Sequence, residues 1–435
     1  MNADLEQTAA RPEVPPDPVA LASEFGRTDF FYLFGPKSYA HIQFYRAWVE
    51  AARCRGIPMQ LLGVVPSSSL NALDYDRIQN YSALPYVRLL KTGWIVRGRL
   101  RLLAFLLWRL LRGRRVVIQA HKFPTQLFDQ LKWLVGRRLQ YTIPLEGDPV
   151  SEAYYLREHP FKPGFYDQEI QRSLAQARRL PDQLRRCDHL LVVSDALRDL
   201  LIARYPEADL AAKTTVVPTG FDQRRHRFSE SLRRQVRLEL GVQQRFVVTY
   251  IGNIYYSWQS FARTAQIYDL LRRQSGRELF LLLLIRQQDH ALALDFLDPY
   301  EIPAEEMFLA QVSGEELTGY LNAADLGVVL RHEHAVSRLA GVPGKLGDYA
   351  ACGLPVLLNR GVAGWEDVLR VRGGAVLEDM DDNAEVLSKV KPLLQYDRNR
   401  RRRIEEWAHR KLSADAHGDR YAAVLRDLAQ TTTGS

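Results

Sequence analysis

Short apolar runs alternate along this chain with longer segments in which apolar residues recur every three or four positions. The first such unit is an apolar run at 29–34 and a helical pattern at 40–52, separated by a turn at Gly35 and Pro36. Short apolar runs favour buried strands, whereas the spacing of three to four favours amphipathic helices. Because alternating strands and helices are typical of parallel sheets with both faces covered, the pattern predicts an α/β protein with doubly wound sheets.

The same alternation continues over most of the chain and predicts two sheets. Strands are predicted at 59–65, 115–120, 140–145, 187–193 and 215–221 in the first half, and at 245–251, 278–285, 307–312, 326–330 and 356–358 in the second. We predict no element for residues 70–96. A chain of 435 residues is too long for one compact core. We therefore predict a disordered leader at 1–28, an N-terminal domain at 29–230, a C-terminal domain at 231–415, and a last helix and tail at 416–435 that packs back on the N-terminal domain.

The stretch at 342–358, V-P-G-K-L-G-D-Y-A-A-C-G-L-P-V-L-L, carries the clearest candidate chemistry. Gly344 ends a proline-glycine loop, so Lys345 falls at the start of a helix, where free backbone N–H groups and the helix dipole favour an anion. Asp348 lies one turn later on the same face, and Gly353 ends the helix. A cation and a carboxylate on one exposed turn suit a ligand with phosphate and hydroxyl groups, such as a nucleotide sugar. An ordinary surface pair of opposite charges is the alternative.

The spacing P-x-K-x-x-[DE]-Y-x-A-x-G-x-P-V in this stretch resembles the donor-site signature of the retaining GT-B glycosyltransferases of family 4 type. The resemblance implies the GT-B fold, in which two Rossmann-like domains face each other across a central cleft. It also implies that Lys345 neutralises the diphosphate of the donor, that Asp348 holds the ribose hydroxyl groups, and that Gly344 lies in the donor site.

The sequence departs from the family after the strand at 245–251. The family often has a glycine-arginine pair there, with a lysine a few residues later, and both cations bind the diphosphate. This chain has Gly252 and Asn253, followed by Trp-Gln at 258–259. Backbone N–H groups at the start of the next helix are alternative donors, so Gly252 and Asn253 remain candidate donor-binding residues.

Strand ends supply the remaining candidates. The strand at 326–330 leads directly into Arg331, which we expect to be a second phosphate contact. The strand at 115–120 leads into His121, and in the family a histidine at the corresponding strand end contacts the sugar or the acceptor; a locally packed histidine is the alternative. The family has two acids in this region, of which Asp348 matches the second. Ala340 stands in the place of the first, and Glu333 is a candidate substitute.

No metal or cofactor is predicted beside the nucleotide-sugar substrate. His332 and His334 offer two imidazoles, but no third ligand lies nearby in the sequence. The three cysteines lack C-x-x-C spacing and are predicted to be reduced thiols.

The formal charge of +8 resides in the first half of the chain. Residues 1–225 contain 32 Lys and Arg against 23 Asp and Glu, a net of +9, whereas residues 226–435 contain 27 against 28, a net of −1. An acidic surface is therefore expected to bind the first half, and an anionic membrane is the first candidate.

A helical pattern at 97–115 is the candidate membrane contact. Leucines fill one arc, and five arginines share the opposite side with Phe105 and Trp108: Arg97, Arg101, Arg109, Arg112 and Arg115. This pattern fits a surface helix with its leucines against the sheet, and it also fits a helix whose arginines and aromatic rings face lipid headgroups. No apolar run reaches the ~18 residues of a membrane span, and the first residues do not resemble a signal peptide. We expect a cytoplasmic protein, peripheral on the inner face of the membrane.

Together these features predict a retaining glycosyltransferase that moves a sugar from a nucleotide-diphosphate sugar to a glycan or lipid-linked acceptor in cell-envelope polysaccharide synthesis. A GT-B epimerase or phosphorylase is one alternative. A non-catalytic GT-B subunit that binds a membrane or a partner transferase is another, and the departures at Asn253 and Ala340 favour it.

Glutamates follow the arginine run at 398–403, so this run predicts a solvated helix start and no nucleic-acid binding.

Overall fold

The computed structural model describes residues 25–34, 42–66, 84–92, 95–121, 125–312 and 314–430. By its internal contacts the chain divides into two compact units, Met1–Tyr141 with Gly418–Ser435, and Thr142–His417. Residues 1–24 of the leader predicted at 1–28 lie outside the described residues, as does the predicted turn at Gly35 and Pro36. The end of that leader is wrong, because Thr28 is already the first residue of a buried strand.

Strands and helices alternate along the described chain. The strands are β1 (Thr28–Phe34), β2 (Met59–Pro66), β3 (Val87–Thr92), β4 (Arg115–His121), β5 (Leu139–Leu145), β6 (His189–Val192), β7 (Thr214–Val216), β8 (Phe246–Gly252), β9 (Leu279–Ile285), β10 (Met307–Ala310), β11 (Leu326–Val329), β12 (Val356–Asn359) and β13 (Gly374–Leu377). The helices are α1 (Ile42–Arg53), α2 (Ile95–Leu111), α3 (Gln126–Val135), α4 (Pro149–Glu158), α5 (Asp167–Arg186), α6 (Asp195–Arg204), α7 (Leu210–Lys213), α8 (Glu230–Glu239), α9 (Phe261–Gln274), α10 (His290–Leu297), α11 (Gly314–Ala323), α12 (Ala335–Leu339), α13 (Gly344–Ala351), α14 (Trp365–Arg370), α15 (Asn383–Val390), α16 (Arg398–Lys411) and α17 (Gly418–Gln430). The strands belong to two sheets, of seven and six strands, and each described strand pair is parallel. The predicted α/β class with two doubly wound sheets is confirmed.

In the first unit the strands are ordered β3-β2-β1-β4. All seven residues of β1 are buried, because this strand has a parallel neighbour on each side and side chains packed on both faces. The last helix, α17, packs against α1, where the ring of Tyr421 lies 5.2 Å from that of Trp48 in an edge-to-face arrangement. Arg55 of the same region lies 2.7 Å (Nε to Oδ1) from Asp419. The strand β3 falls within 70–96, for which no element is predicted from the sequence.

The helix predicted at 97–115 is α2, and its arginine side differs from the prediction. Three leucines face the core as expected: Leu102, Leu106 and Leu110. Arg109 turns toward β1, where its Nη2 lies 2.6 Å from Oδ1 of the buried Asp29. The helix ends at Leu111, so Arg115 lies outside it, as the first residue of β4. These two arginines are therefore not part of a lipid-facing side.

In the second unit, β5, β6 and β7 lie side by side, and the six-stranded sheet is ordered β10-β9-β8-β11-β12-β13. The chain runs from β8 outward to β10 and then returns to β11 on the other side of β8. The strand order thus reverses between β8 and β11. In open α/β sheets, ligands bind beyond the carboxyl ends of the strands at such a reversal. Gly252, at the end of β8, and Arg331, just beyond β11, lie at this edge.

Candidate functional site

The helix α13, which carries the predicted donor-binding residues, has an uncapped start and a tightly constrained end. It begins after Pro343, whose side chain makes no capping hydrogen bond. It ends before Gly353, where φ is +64° and an added Cβ would lie 2.5 Å from Arg401 O, so the position requires glycine. Between the ends, the buried hydroxyl of Tyr349 accepts a hydrogen bond from Ile251 N at 2.9 Å. These contacts hold the first turn of α13 beside the carboxyl end of β8.

Lys345 turns inward from this first turn. Its Nζ donates to Tyr250 Oη at 2.8 Å and to Gln259 Oε1 at 3.0 Å, and it lies 4.0 Å from the centroid of the Tyr250 ring. Tyr250 Oη itself donates to Asn253 O at 2.9 Å, which leaves the phenol oxygen to accept from Lys345. Burial, and after it the nearby charge of Arg331, lower the pKa of Lys345 well below its ordinary value, and within the described chain no carboxylate opposes them.

Arg331 is the second cation of the site. Its backbone is held by Asn359, which accepts from Arg331 N at 3.0 Å and donates to Arg331 O at 2.8 Å. Its side chain is 7% exposed, and its buried Nε and Nη1 atoms have no hydrogen-bond partner. Burial lowers the pKa of Arg331 to about 10, and Tyr250 acts in the opposite direction. Because unpaired buried donors are costly, this arrangement indicates a site for an anion.

The other predicted residues around this pair have different roles. Gly252 is exposed at the end of β8 with φ +92°, a conformation that favours glycine, and a Cβ built there would lie 4.0 Å from Lys345 Cε. Gly344 is exposed in the first turn of α13. Asn253 is engaged in its own loop, because its Oδ1 accepts from Arg286 Nη2 at 3.2 Å and from a backbone N–H two residues along at 2.7 Å. Gly252 therefore borders Lys345 with an exposed backbone, whereas the side chain of Asn253 shapes the loop.

Asp348 lies one turn beyond Lys345 and does not pair with it. Its side chain is 26% exposed, and its Oδ1 lies 3.6 Å from Nε2 of the buried His226. Burial raises the pKa of Asp348, the nearby Asp222 acts in the same direction, and His226 opposes both. The alternative of an ordinary surface pair between Lys345 and Asp348 is therefore wrong, since each of the two has a different partner.

No protein-family model matches the sequence, and no curated protein sequence matches it. Solved structures do match it. Sucrose-phosphate synthase from Thermosynechococcus elongatus superposes with a TM-score of 0.65 at 15% identity, over 93% of this chain and 100% of that one. HepE from Anabaena in complex with UDP-glucose gives 0.60 at 14% identity, over 91% and 99%. WaaG, a glycosyltransferase involved in lipopolysaccharide biosynthesis, gives 0.54 at 14% identity, over 94% and 100%.

The chain has the GT-B fold. The resemblance stated for the sequence is thus confirmed at the level of the fold. Identities near 15% support the fold and no finer assignment.

His121 lies in the first unit of this GT-B chain, at the end of β4. It is 2% exposed, and its ring centroid lies 4.7 Å from that of Tyr45 and 6.4 Å from that of Tyr32. This packing agrees with the alternative interpretation, a histidine that packs locally. Its contact with a sugar or an acceptor stays a prediction.

Two residues of the site are not singled out by the sequence. Tyr250 could be suspected, because a hydroxyl near the carboxyl end of an apolar strand faces the ligand edge of the sheet. His226 gives no local signal, since its partners lie about 90 and 120 residues away along the chain. In the part of the chain that the structure describes, no group of three or more His, Cys, Asp or Glu side chains is placed to hold a metal ion.

Replacing Lys345 with methionine is expected to raise the melting temperature of the ligand-free protein by about 1–4 °C, because the change removes a half-buried cation that has no acid partner. The pKa of Lys345 is lowered in the folded state, so its charge opposes folding at pH values below the ordinary lysine pKa. The gain should therefore be present at pH 7 and shrink as the pH approaches about 10.4. Calorimetric melts at both pH values measure it.

The matched control is the exposed Lys391, whose replacement by methionine should change the melting temperature by less than about 1 °C. A lower melting temperature for Lys345→Met than for the parent would show that the hydrogen bonds of Lys345 outweigh the cost of its burial.

Proposed function

We propose that this chain is a retaining glycosyltransferase that binds a nucleotide-diphosphate sugar at the ligand edge of its six-stranded sheet and moves the sugar to a glycan or lipid-linked acceptor. One observation carries the proposal: at this edge Arg331 is buried with unfilled guanidinium donors, Lys345 is half-buried beside it, and no carboxylate in the described chain opposes them. The GT-B neighbours support it, since HepE was solved with UDP-glucose and WaaG is a glycosyltransferase of lipopolysaccharide biosynthesis. By the same likeness we assign the acceptor to cell-envelope polysaccharide synthesis.

A diphosphate matches the chemistry of these side chains. The free Nε and Nη1 of Arg331 suit two phosphate oxygens, because a guanidinium offers parallel donors in a fixed plane. Lys345 adds a third donor, and the uncapped first turn of α13 adds backbone N–H groups near Gly344. Asp348 accepts from the ribose hydroxyl groups in this proposal, while His121 keeps its predicted contact with the sugar or the acceptor.

The same groups would assist the transfer step. When the bond between the sugar and the diphosphate breaks, negative charge builds up on the departing phosphate oxygens. Cations that are already fixed in place stabilise this charge without reorganisation during the step. Because Lys345 and Arg331 supply two positive charges, we propose that donor binding requires neither a metal ion nor a further cofactor.

A second candidate function is a non-catalytic subunit with the same fold. The side chain of Asn253 is occupied by its loop, and Ala340 ends α12 without offering an acid. These observations favour a site that binds a nucleotide without transferring a sugar. Nucleotide binding without turnover of UDP-glucose, in the presence of lipid-linked or free glycans, would select this candidate.

A panel of UDP, GDP, ADP and their glucose derivatives tests the proposal. A nucleotide present at 100 times its dissociation constant should stabilise the protein by ~2.7 kcal/mol, a clear rise in melting temperature. Lys345→Ala and Arg331→Met should each weaken binding by about 10-fold to 100-fold, because each removes a charged hydrogen bond to phosphate. Titration calorimetry measures the affinities, with and without EDTA.

The control for charge is the exposed Arg402, whose replacement by methionine should leave the affinity within about twofold. The proposal fails if no nucleoside diphosphate binds, or if both site variants bind as tightly as the parent.

Nucleotide binding is also expected to weaken at alkaline pH, as the pH rises toward the ordinary lysine pKa of about 10.4. Because the pKa of Lys345 is lowered in the free protein, part of its amine is neutral at alkaline pH, and the bound anion must restore the charge. Binding at alkaline pH, where phosphates are fully ionised, should therefore take up a fraction of a proton. Calorimetry in buffers of different ionisation enthalpy measures this fraction.

Lys345→Arg provides the matched comparison, because arginine stays charged and should bind the nucleotide without proton uptake. Equal proton uptake by this variant and by the parent would assign the uptake to another group.

We further propose that the first unit binds an anionic membrane surface through an aromatic–basic patch. Four large apolar side chains in this patch are unusually exposed: Trp108 at 43%, Leu111 at 76%, Trp133 at 85% and Leu134 at 65%. Arg138 donates to Leu110 O, which brings the end of α3 beside the end of α2. Along the described ranges, no helix has the length and apolar content needed to cross a bilayer.

The charge of the patch supports an anionic membrane as its occupant. Arg112 and Arg137 are exposed beside the apolar side chains, and the guanidinium of Arg112 lies 4.2 Å from the ring centroid of Trp108. Tryptophan and arginine together are typical of protein surfaces that lie in the headgroup layer. The patch replaces the arginine side predicted for residues 97–115, of which it keeps Trp108 and Arg112.

Vesicle sedimentation tests this surface. Arg112→Gln and Arg137→Gln should each lower binding to vesicles with phosphatidylglycerol by about fivefold, since each nearby cation contributes ~1 kcal/mol. Trp133→Ser should lower it further, and binding should fall with added salt. Tyr154→Ser, a change at a side chain 55% exposed in the second unit, is the control and should bind like the parent. Equal binding by all four variants would rule out the patch.

A further inference from the structure

His226 connects Asp348 to the interior of the second unit. It lies between β7 and α8 and is 6% exposed. Its Nδ1 lies 3.0 Å from Oγ1 of Thr318 on α11, and its Nε2 lies 3.6 Å from Oδ1 of Asp348 on α13. The imidazole therefore bridges two helices, and one of its two contacts is the carboxylate predicted to meet the ribose.

The hydrogen bonds around His226 favour a proton on the side that faces Asp348. The hydroxyl of Thr318 donates to Arg225 O at 3.2 Å, so its oxygen is left to accept from His226 Nδ1. When Nδ1 carries the proton of a neutral imidazole, the lone pair of Nε2 faces the carboxylate of Asp348. This contact at 3.6 Å is attractive only if a second proton lies on Nε2 or on the carboxyl group. An imidazolium beside a carboxylate makes all of these contacts at once, and so does a neutral imidazole beside a protonated carboxyl group; each form places a proton between Nε2 and Oδ1.

The surroundings of the pair act on both partners. Burial lowers the pKa of His226, Asp348 opposes this effect, and the charges of Arg225 and His409 add to it. Burial raises the pKa of Asp348, His226 opposes this effect, and Asp222 adds to it. Each partner thus favours the charged form of the other, so the state of Asp348 depends on His226.

We propose that His226 is a positioning residue of the donor site and makes it selective for ribose. Its imidazole fixes one oxygen of Asp348, which leaves the other to accept hydrogen bonds from the vicinal hydroxyl groups of a bound ribonucleoside diphosphate. A site built to bind such hydroxyl groups rejects an analogue that lacks them, because its acceptor is then left unpaired. This inference rests on the proposed binding of a nucleoside diphosphate.

The test compares UDP, GDP and ADP with their 2′,3′-dideoxy analogues by titration calorimetry. The parent protein should prefer the ribonucleotide by about tenfold or more. His226→Phe keeps the ring but removes both nitrogens, and it should lower this preference to less than about threefold. His226→Gln offers an amide donor near the place of Nε2 and should restore most of the preference. A merely structural role would weaken both nucleotides equally and leave their ratio unchanged.

A second variant keeps the test decisive if His226→Phe does not fold. Thr318→Val keeps the shape of the side chain and removes the oxygen that orients the imidazole, so it should also lower the preference. Asp348→Asn should abolish the preference, and adding His226→Phe to it should change the ratio no further.

The outcomes separate the two proposals. If the parent binds no nucleoside diphosphate, the proposed function fails and this inference fails with it. If the parent prefers the ribonucleotide and both His226→Phe and Thr318→Val keep the full preference, the inference alone is overturned. A parent that binds both sugar forms equally also overturns it while leaving diphosphate binding intact.

Discussion

The structure of the site depends on two positive charges without an acid to balance them, a buried one on Arg331 and a half-buried one on Lys345. Burying a charge is costly unless it is paired, so the fold must hold Lys345 and Arg331 in place against a tendency to turn outward. Tyr250 helps by accepting from Lys345 while it donates to Asn253 O, and Asn359 fixes the backbone of Arg331 through two hydrogen bonds. The positions of the cations are therefore set before any ligand arrives, which is the condition for electrostatic stabilisation of a leaving group.

This preorganisation rests on close packing between α13 and the sheet. Tyr349 lies flat enough on β11 that a Cβ at Gly327 would come within 2.7 Å of its ring, so the strand needs glycine there. The hydroxyl of Tyr349 then reaches Ile251 N on β8. Behind the helix, Gly353 lets the chain turn against the backbone of Arg401. Two glycines and one tyrosine thus set the distance between the helix start and the two strand ends.

The periodicity of the sequence was sufficient for the fold class and for most elements near the site. The strands β8 and β11 and the helix α13 follow from local signals: apolar runs, a proline-glycine start and a glycine end. The short strand β3 carries no such signal, because an edge strand of six residues has little apolar periodicity. The orientation of Arg109 has no local signal either, since its partner Asp29 lies 80 residues away along the chain.

The candidate site can be predicted from the sequence only in part, because many of its contacts join residues far apart along the chain. The residue types of Lys345, Asp348 and Arg331 and their places at strand or helix ends carry a local chemical signal, so they could be chosen as candidates. Their burial and partners come from contacts made across the fold: Lys345 meets Tyr250 and Gln259, which lie 95 and 86 residues away. Local patterns therefore located the candidate chemistry, while its electrostatics needed the structure.

The departure of the chain from the family's pattern after β8 follows from this electrostatic arrangement. Gln259 accepts from Lys345 at 3.0 Å, and a lysine in its place would put two ammonium groups in contact and remove that acceptor. The second cation instead comes from the end of β11, on the other side of the strand-order reversal. In the proposed complex the diphosphate would thus be bound from both sides of the crevice between β8 and β11. This chain thus offers two cations at this edge, Lys345 and Arg331, while neutral Gln259 and Asn253 stand in the loop where the family's pattern has its arginine and lysine.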